Sequence, residues 1–191
     1  MTVLEVIQRS TDFLAKKGVE SPRLQVELLL AHVLRVPRLQ LYLNFERTLA
    51  KAELETTRGL VKRRGSREPL QHIVGATSFC GLEIAVSSDV LVPRPETELL
   101  AEKAWRHLQA LAGRGSDRLT ALDFGTGSGC LALALAANCP AVEVCAVDIS
   151  PAALAVAQEN ARRHKLSERI RFIAGDGFAA LPPGLRFDLL V

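Results

Sequence analysis

Leu119-Thr120-Ala121-Leu122-Asp123-Phe124 runs straight into Gly125-Thr126-Gly127-Ser128-Gly129, and Cys130–Asn138 follows as an alternation of leucine and alanine. The first stretch reads as a short apolar strand of the kind buried on both faces in a parallel sheet. The alanine-rich run reads as a helix. Three glycines on alternate positions let the chain turn tightly and bring backbone close to a ligand at the C-terminal edge of the sheet. The same glycines suit a plain strand-to-helix turn, so alone they decide nothing.

Toward the C-terminal side the alternation continues. Val142–Val147 reads as a second strand. Ser150 caps and Pro151 opens the next helix, which closes on the basic turn Arg162-Arg163-His164-Lys165. Ile170–Ile173 and Phe187–Val191 read as a third and a fourth strand. Strands alternating with helices imply an α/β fold with a parallel sheet and right-handed crossovers.

Toward the N-terminal side, Pro93-Arg94-Pro95-Glu96-Thr97-Glu98 forbids helix at Pro93–Arg94. It opens one at Pro95 or Glu96 that reaches about Leu111, with Gly113–Asp117 as a loop. Ser78–Cys80 and Leu82–Val86 read as a β-hairpin turning at Gly81, and Arg67–Gly75 as a connector with an extended middle. Before that the chain reads as helices. Val3, Leu4, Ile7, Thr11 and Leu14 line one face up to Gly18. Ser21 and Pro22 start a second helix whose face is Leu24, Leu28, Val33 and Leu34, reaching about Val36, and Ala52–Arg64 forms another. The expected organisation is a helical domain at 1–66, a connector with the hairpin at 67–95, and the sheet domain at 96–191.

Two further features bear on the glycine loop. The second strand ends at Asp148, 19 residues after Gly129, where a carboxylate can accept both hydroxyls of a ribose. The third ends in Gly175-Asp176-Gly177-Phe178, where Asp176 can accept from an adenine amino group and Phe178 can pack on the ring. Either aspartate alone is equally a cap or turn residue. Three such places at one sheet edge favour an adenosine ligand. A dinucleotide site wants Gly-x-Gly-x-x-Gly, with pyrophosphate on the helix N-terminus. Here the third glycine comes one position early. Asp123, just before the loop, would repel a pyrophosphate and attract an ammonium or sulfonium. S-adenosylmethionine fits this pattern better than NAD.

Composition sets the outer bounds. The chain has 191 residues, 48% hydrophobic and 24% charged, enough for a core and too apolar for disorder. The apolar run from Cys130 to Ala137 is far short of the ~18 residues of a membrane helix. No basic flank with an apolar core opens the chain, so a cytoplasmic protein without a membrane role is expected. Cys80, Cys130, Cys139 and Cys145 are irregularly spaced, with no Cys-x-x-Cys, so free thiols and no metal are expected. Residues 1–80 hold 13 Lys/Arg and 8 Asp/Glu, against 11 and 13 in residues 81–191. The basic half lacks interleaved aromatics and reads as a solvated helical surface, so no direct nucleic-acid binding is expected.

Asp123–Gly129 resembles the first motif of the Rossmann-like S-adenosylmethionine-dependent methyltransferases. More narrowly, the chain resembles the peptide-chain release factor glutamine N5-methyltransferases. The residues that carry this are Arg67, Glu68-Pro69-Leu70-Gln71 and Gly75, then Pro93–Glu98, then Leu122–Gly129. The resemblance covers essentially the whole chain, including the helical N-terminal domain. It implies methylation of the side-chain amide of the glutamine in the Gly-Gly-Gln motif of class 1 release factors. It implies that Gly125, Thr126, Gly127, Ser128 and Gly129 hold the methionine part of the cofactor. Asp148 then takes the ribose, and the Asp176–Gly177 turn lies by the adenine. Arg94, Pro95, Glu96, Thr97 and Glu98 border the pocket, and the helical domain helps grip the protein substrate.

An amide nitrogen is a poor nucleophile because its lone pair is delocalised. It must be held in line with the methyl–sulfur bond, and its hydrogens must be accepted as charge leaves the nitrogen. In the family this belongs to an Asn-Pro-Pro-Tyr motif after the fourth strand. That motif is absent here, where the chain reads Phe187-Asp188-Leu189-Leu190-Val191. Four strands are readable of the seven usual in the family. The expectation is therefore a piece with an incomplete sheet, its catalytic motif beyond Val191, inactive and poorly stable alone. Two other readings stay open: a related amino-methyltransferase acting on another protein or on nucleic acid, and a non-catalytic nucleotide-binding protein.

Overall fold

The computed structural model describes residues 1–114 and 118–191, so residues 115–117 of the expected 113–117 loop lie outside the described residues. The chain forms two compact units, Met1–Val74 and Gly75–Val191. The stretch read as a connector, 67–95, is thus divided between them.

The first unit holds α1 (Val3–Lys16), α2 (Pro22–Leu34), α3 (Arg38–Leu43), α4 (Lys51–Gly65) and α5 (Leu70–Val74). A capping box starts α1: the Glu5 N–H donates to the Thr2 hydroxyl at 3.2 Å, and the Thr2 N–H to the Glu5 carboxylate at 2.9 Å. Ser21 does not cap α2. Its backbone is left-handed, with φ 45°, and its hydroxyl makes no capping bond. Arg35, also left-handed, closes that helix before Val36. The buried face of α2 is Val26, Leu29 and Leu30, spaced for one side of a helix, while Leu24 and Leu28 stay exposed. The extended middle expected in 67–75 is instead α5. Pro69 precedes its first turn, the Ile73 N–H donates to the Pro69 carbonyl, and Ile73 enters the helical core.

One carboxylate in this core is wholly buried. Glu27 accepts from Arg23 Nε at 3.0 Å, Arg38 Nη1 at 2.9 Å and Tyr42 Oη at 2.8 Å, clasping α3 to α2. Burial pushes its carboxyl up, but the bonds from Arg23, Tyr42 and Arg38 outweigh that and hold it below the ordinary value.

The second unit opens with a hairpin, β1 (Ala76–Phe79) and β2 (Leu82–Ala85), paired from Phe79–Leu82 to Ala76–Ala85. Its two-residue turn, Cys80 and Gly81, has positive φ at both positions, as a tight hairpin with right-handed twist requires. Helix α6 (Pro95–Ala112) follows, then β3 (Leu119–Phe124), α7 (Cys130–Asn138), β4 (Val142–Asp148), α8 (Pro151–Arg163), β5 (Ile170–Ala174) and β6 (Leu189–Leu190). The Ser150 hydroxyl caps α8 by accepting from the Ala153 N–H. Regular pairing in the last strand covers only Leu189 and Leu190, against Ala121 and Leu122.

The four strands pair in parallel in the order β5-β4-β3-β6. Connections from β3 run one way to β4 and β5, and the chain then returns to β3's other side. The order reverses at β3, so the loop after β3 sits at the switch point where open α/β sheets bind ligands. Strand residues alternate between two clusters. Ala121, Val144 and Ala146 pack with α6, α7 and α8, while Leu122, Cys145 and Val147 pack with Leu181 and Phe187. Among the described residues no helix is long and apolar enough to cross a membrane.

Replacing Glu27 by alanine leaves two guanidinia and a phenol without their acceptor and is expected to lower stability by about 2 kcal/mol, read by urea unfolding of the full chain. The depressed carboxyl fixes the sign with pH. The wild-type advantage is full above about pH 4.5 and shrinks as pH falls through the lower folded-state value.

Candidate functional site

The glycine loop is held from both sides. The Gly125 and Thr126 N–H groups both donate to the Val147 carbonyl at 2.9 Å. The Gly127 N–H donates to Asp148 Oδ2 at 2.8 Å, and the Ser150 N–H to Asp148 Oδ1 at 2.9 Å. The Asp148 carbonyl accepts from the Gly175 N–H at 3.0 Å. Asp148 therefore touches the loops after β3, β4 and β5 at once.

Two glycines carry the backbone demand. Gly127 has φ 54°, which turns its N–H to the Asp148 carboxylate. Gly129 has φ 79°, and a Cβ there would lie 3.0 Å from Ala157 Cβ and 2.8 Å from Leu133 Cδ1, so the loop lies tight on α8 and α7. The third loop reaches the first through its rings. Phe178 packs on Phe124 with centroids 5.0 Å apart. Gly177, with φ 55°, passes so close to Phe124 that a Cβ would stand 2.9 Å from its Cζ.

The expected site residues thus divide. Gly125, Gly127, Asp148 and Phe178 come together at one end of the sheet. Asp176 follows Gly175 there and is exposed. Thr126 and Ser128 are buried, supporting the loop from below. Asp123 differs from its expected role as an open attractor of a cation. It is buried, and its Oδ2 accepts from the Thr126 hydroxyl at 2.7 Å and from the Ala132 N–H of α7 at 3.0 Å. Burial pushes its carboxyl up to about 6, against the lowering by those two bonds, and the neighbouring Asp148 adds to the rise.

The 94–98 stretch lies differently. Arg94 is extended ahead of Pro95 at the first turn of α6, and Glu96 and Glu98 sit in that turn. Glu98 accepts from the Cys80 N–H at 3.0 Å, tying the hairpin turn to α6. Among the described residues no hydrogen bond joins 94–98 to the glycine loop.

Three residues escaped the sequence reading. Phe124 and Ile149 follow or end the strands flanking the loop and leave large apolar surface uncovered, Ile149 at 69% exposure and Phe178 beside Phe124 at 63%. An apolar residue left open beside a buried acid is a signal that spacing alone hides. Asn160, wholly buried on α8, is the third. Exposed rings, a carboxylate shared between loops at the strand ends and a close-set glycine backbone suit an adenosine carrying a short charged tail.

Residues 5–75 match the family described as PrmC N-terminal domain, and residues 121–191 a family described as Methyltransferase domain. The whole chain is 45% identical to a release factor glutamine methyltransferase of Chlorobaculum tepidum and 44% identical to one of Geobacter sulfurreducens. This chain belongs to the release factor glutamine methyltransferase family. It spans 66% and 63% of the length of those two relatives. Among solved structures, the N-terminal domain of human METTL16 aligns at TM-score 0.47 and 17% identity, over 77% of this chain and 53% of that one, and adds nothing to the assignment. The cofactor of such a methyltransferase domain is S-adenosylmethionine, and the exposed rings, Asp148 and the glycine backbone fit it.

The raised Asp123 carboxyl yields a stability test. The folded chain keeps this proton up to about pH 6, whereas the unfolded chain releases it near 3.8, so stability falls as pH rises between those values. Asp123→Asn, which cannot titrate, is expected to flatten that slope, measured by urea titration across the window.

Proposed function

We propose that this chain holds S-adenosylmethionine across the loops after β3, β4 and β5. We propose further that the enzyme it belongs to methylates the glutamine side-chain amide of the Gly-Gly-Gln motif in class 1 release factors. The observation that carries the first step is the three-way tie at Asp148, with the Phe124–Phe178 pair beside it. Bound there, the cofactor supplies an electrophilic methyl group on a sulfonium sulfur.

The residues divide the ligand by chemistry. Asp148 already accepts two backbone N–H groups, and its carboxylate oxygens have lone pairs left for two ribose hydroxyls. Phe124, Ile149 and Phe178 offer apolar surface for adenine, with Asp176 beside them for its amino group. The backbone of 125–129 takes the methionine end, where no side chain stands in the way. That Arg94–Glu98 border the same pocket rests on the resemblance alone, since among the described residues their one tie outside α6 is from Glu98 to the hairpin turn.

Release factors as substrate are supported by the relatives' names and by the helical unit. That unit is basic, and its α2 and α3 leave Leu24, Leu28, Tyr42, Leu39 and Leu43 uncovered, the last two at 72% and 83% exposure. Apolar surface of that extent on a polar helical unit suits a protein partner. The chemistry asks the enzyme to hold a weakly nucleophilic amide nitrogen in line and to accept its proton. The resemblance gives that task to Asn-Pro-Pro-Tyr, which these 191 residues do not contain.

Calorimetric titration of the chain with S-adenosylhomocysteine is expected to show one site, and titration with NAD none. Asp148→Ala is expected to weaken the binding about 100-fold or more, since two hydrogen bonds to a charged acceptor are lost along with the loop's tie. Equal affinity for NAD, or unchanged affinity in the variant, would overturn the reading.

A further inference from the structure

Asn160 has no charge, touches no solvent and sits on α8, outside the three loops assigned above to the ligand. Yet its amide is fully used. Oδ1 accepts from the Ala85 N–H at 2.8 Å, and Nδ2 donates to the Ala85 carbonyl at 3.0 Å and to the Ser128 carbonyl at 2.9 Å. Toward β2 it acts as a peptide group, making the pair of bonds a neighbouring strand would make. Toward the glycine loop it spends its second N–H on the carbonyl that precedes Gly129.

The surroundings make this contact directional. Ala157, one turn earlier on α8, is the residue on which Gly129 packs. His164, one turn later, bonds through Nε2 to the Glu83 carbonyl at 2.8 Å. The same face of α8 thus meets the glycine loop at one end and the edge of β2 at the other. Asn160 is the side chain that bonds both. A hydrophobic residue there would strand the Ala85 N–H and two carbonyls in a dry place. A carboxylate would set negative charge against those carbonyls.

We infer that Asn160 is a positioning residue for the cofactor: it locks the Ser128 carbonyl and so sets the glycine backbone that receives the methionine end, with the β-hairpin as its anchor. This rests on the proposed cofactor site and adds to it a coupling between hairpin and loop. The effect is local. The loop after β5, proposed for adenine, has no bond to Asn160.

The test measures S-adenosylhomocysteine by calorimetry and adenosine by NMR titration on the full chain, for the wild type, Asn160→Ala and Asn160→Asp. Asn160→Ala is expected to weaken S-adenosylhomocysteine about tenfold or more and adenosine less than about twofold. Asn160→Asp is expected to be the weaker binder at about pH 8 and to recover toward wild type at about pH 5, where a buried carboxyl regains a proton to donate. That arm serves even if the alanine variant fails to fold. Equal loss for both ligands, or affinity within twofold of wild type throughout, overturns the inference while the cofactor site stands. A wild type that binds no S-adenosylhomocysteine overturns the cofactor site, and the inference with it.

Discussion

The ligand end of this sheet depends on Asp148. Three parallel strands end side by side, and each hands the chain to a loop whose N–H groups have lost their ladder partners. Asp148 gives one oxygen to Gly127, the other to Ser150 and its backbone carbonyl to Gly175. A charged acceptor makes the first two bonds stronger than ordinary backbone bonds. The glycine loop can answer only because Gly127 takes a φ of 54°. What results is a concave backbone surface at the place where the strand order reverses.

Around it stand side chains that serve the site at some expense to stability. Asp123 holds the first turn of α7 from a buried position where a carboxyl resists ionising. Phe124, Ile149 and Phe178 keep apolar surface open at the sheet edge. A perturbed acid and uncovered rings in one place are features that distinguish a site from a core. The helical unit shows the opposite solution in Glu27, a buried acid whose charge is met by two arginines and a tyrosine.

Much of the second unit was legible in sequence because its signals are local. Apolar strands, glycines between strand and helix, and Ser150-Pro151 at a helix start are each specified by neighbouring residues. In β3 and α7 the expected boundaries hold to the residue. Where tertiary contacts decide, spacing misled. The face of α2 follows Glu27's partners rather than the leucine count. Residues 70–74 fold into a helix because Ile73 has a core to enter. Ser21 looks like a cap until its left-handed backbone turns the hydroxyl away. Asp123 looked open because sequence carries no burial, and Asn160 was invisible because its two partner residues, Ser128 and Ala85, lie 32 and 75 residues away.

Hydrogen–deuterium exchange of the chain with and without S-adenosylhomocysteine tests the shared cradle most directly. Slowed exchange is expected together in 125–129, 148–150 and 175–178, with the helical unit unchanged. Protection confined to one of these loops, or found only in the helical unit, would mean that no common site exists at this edge of the sheet.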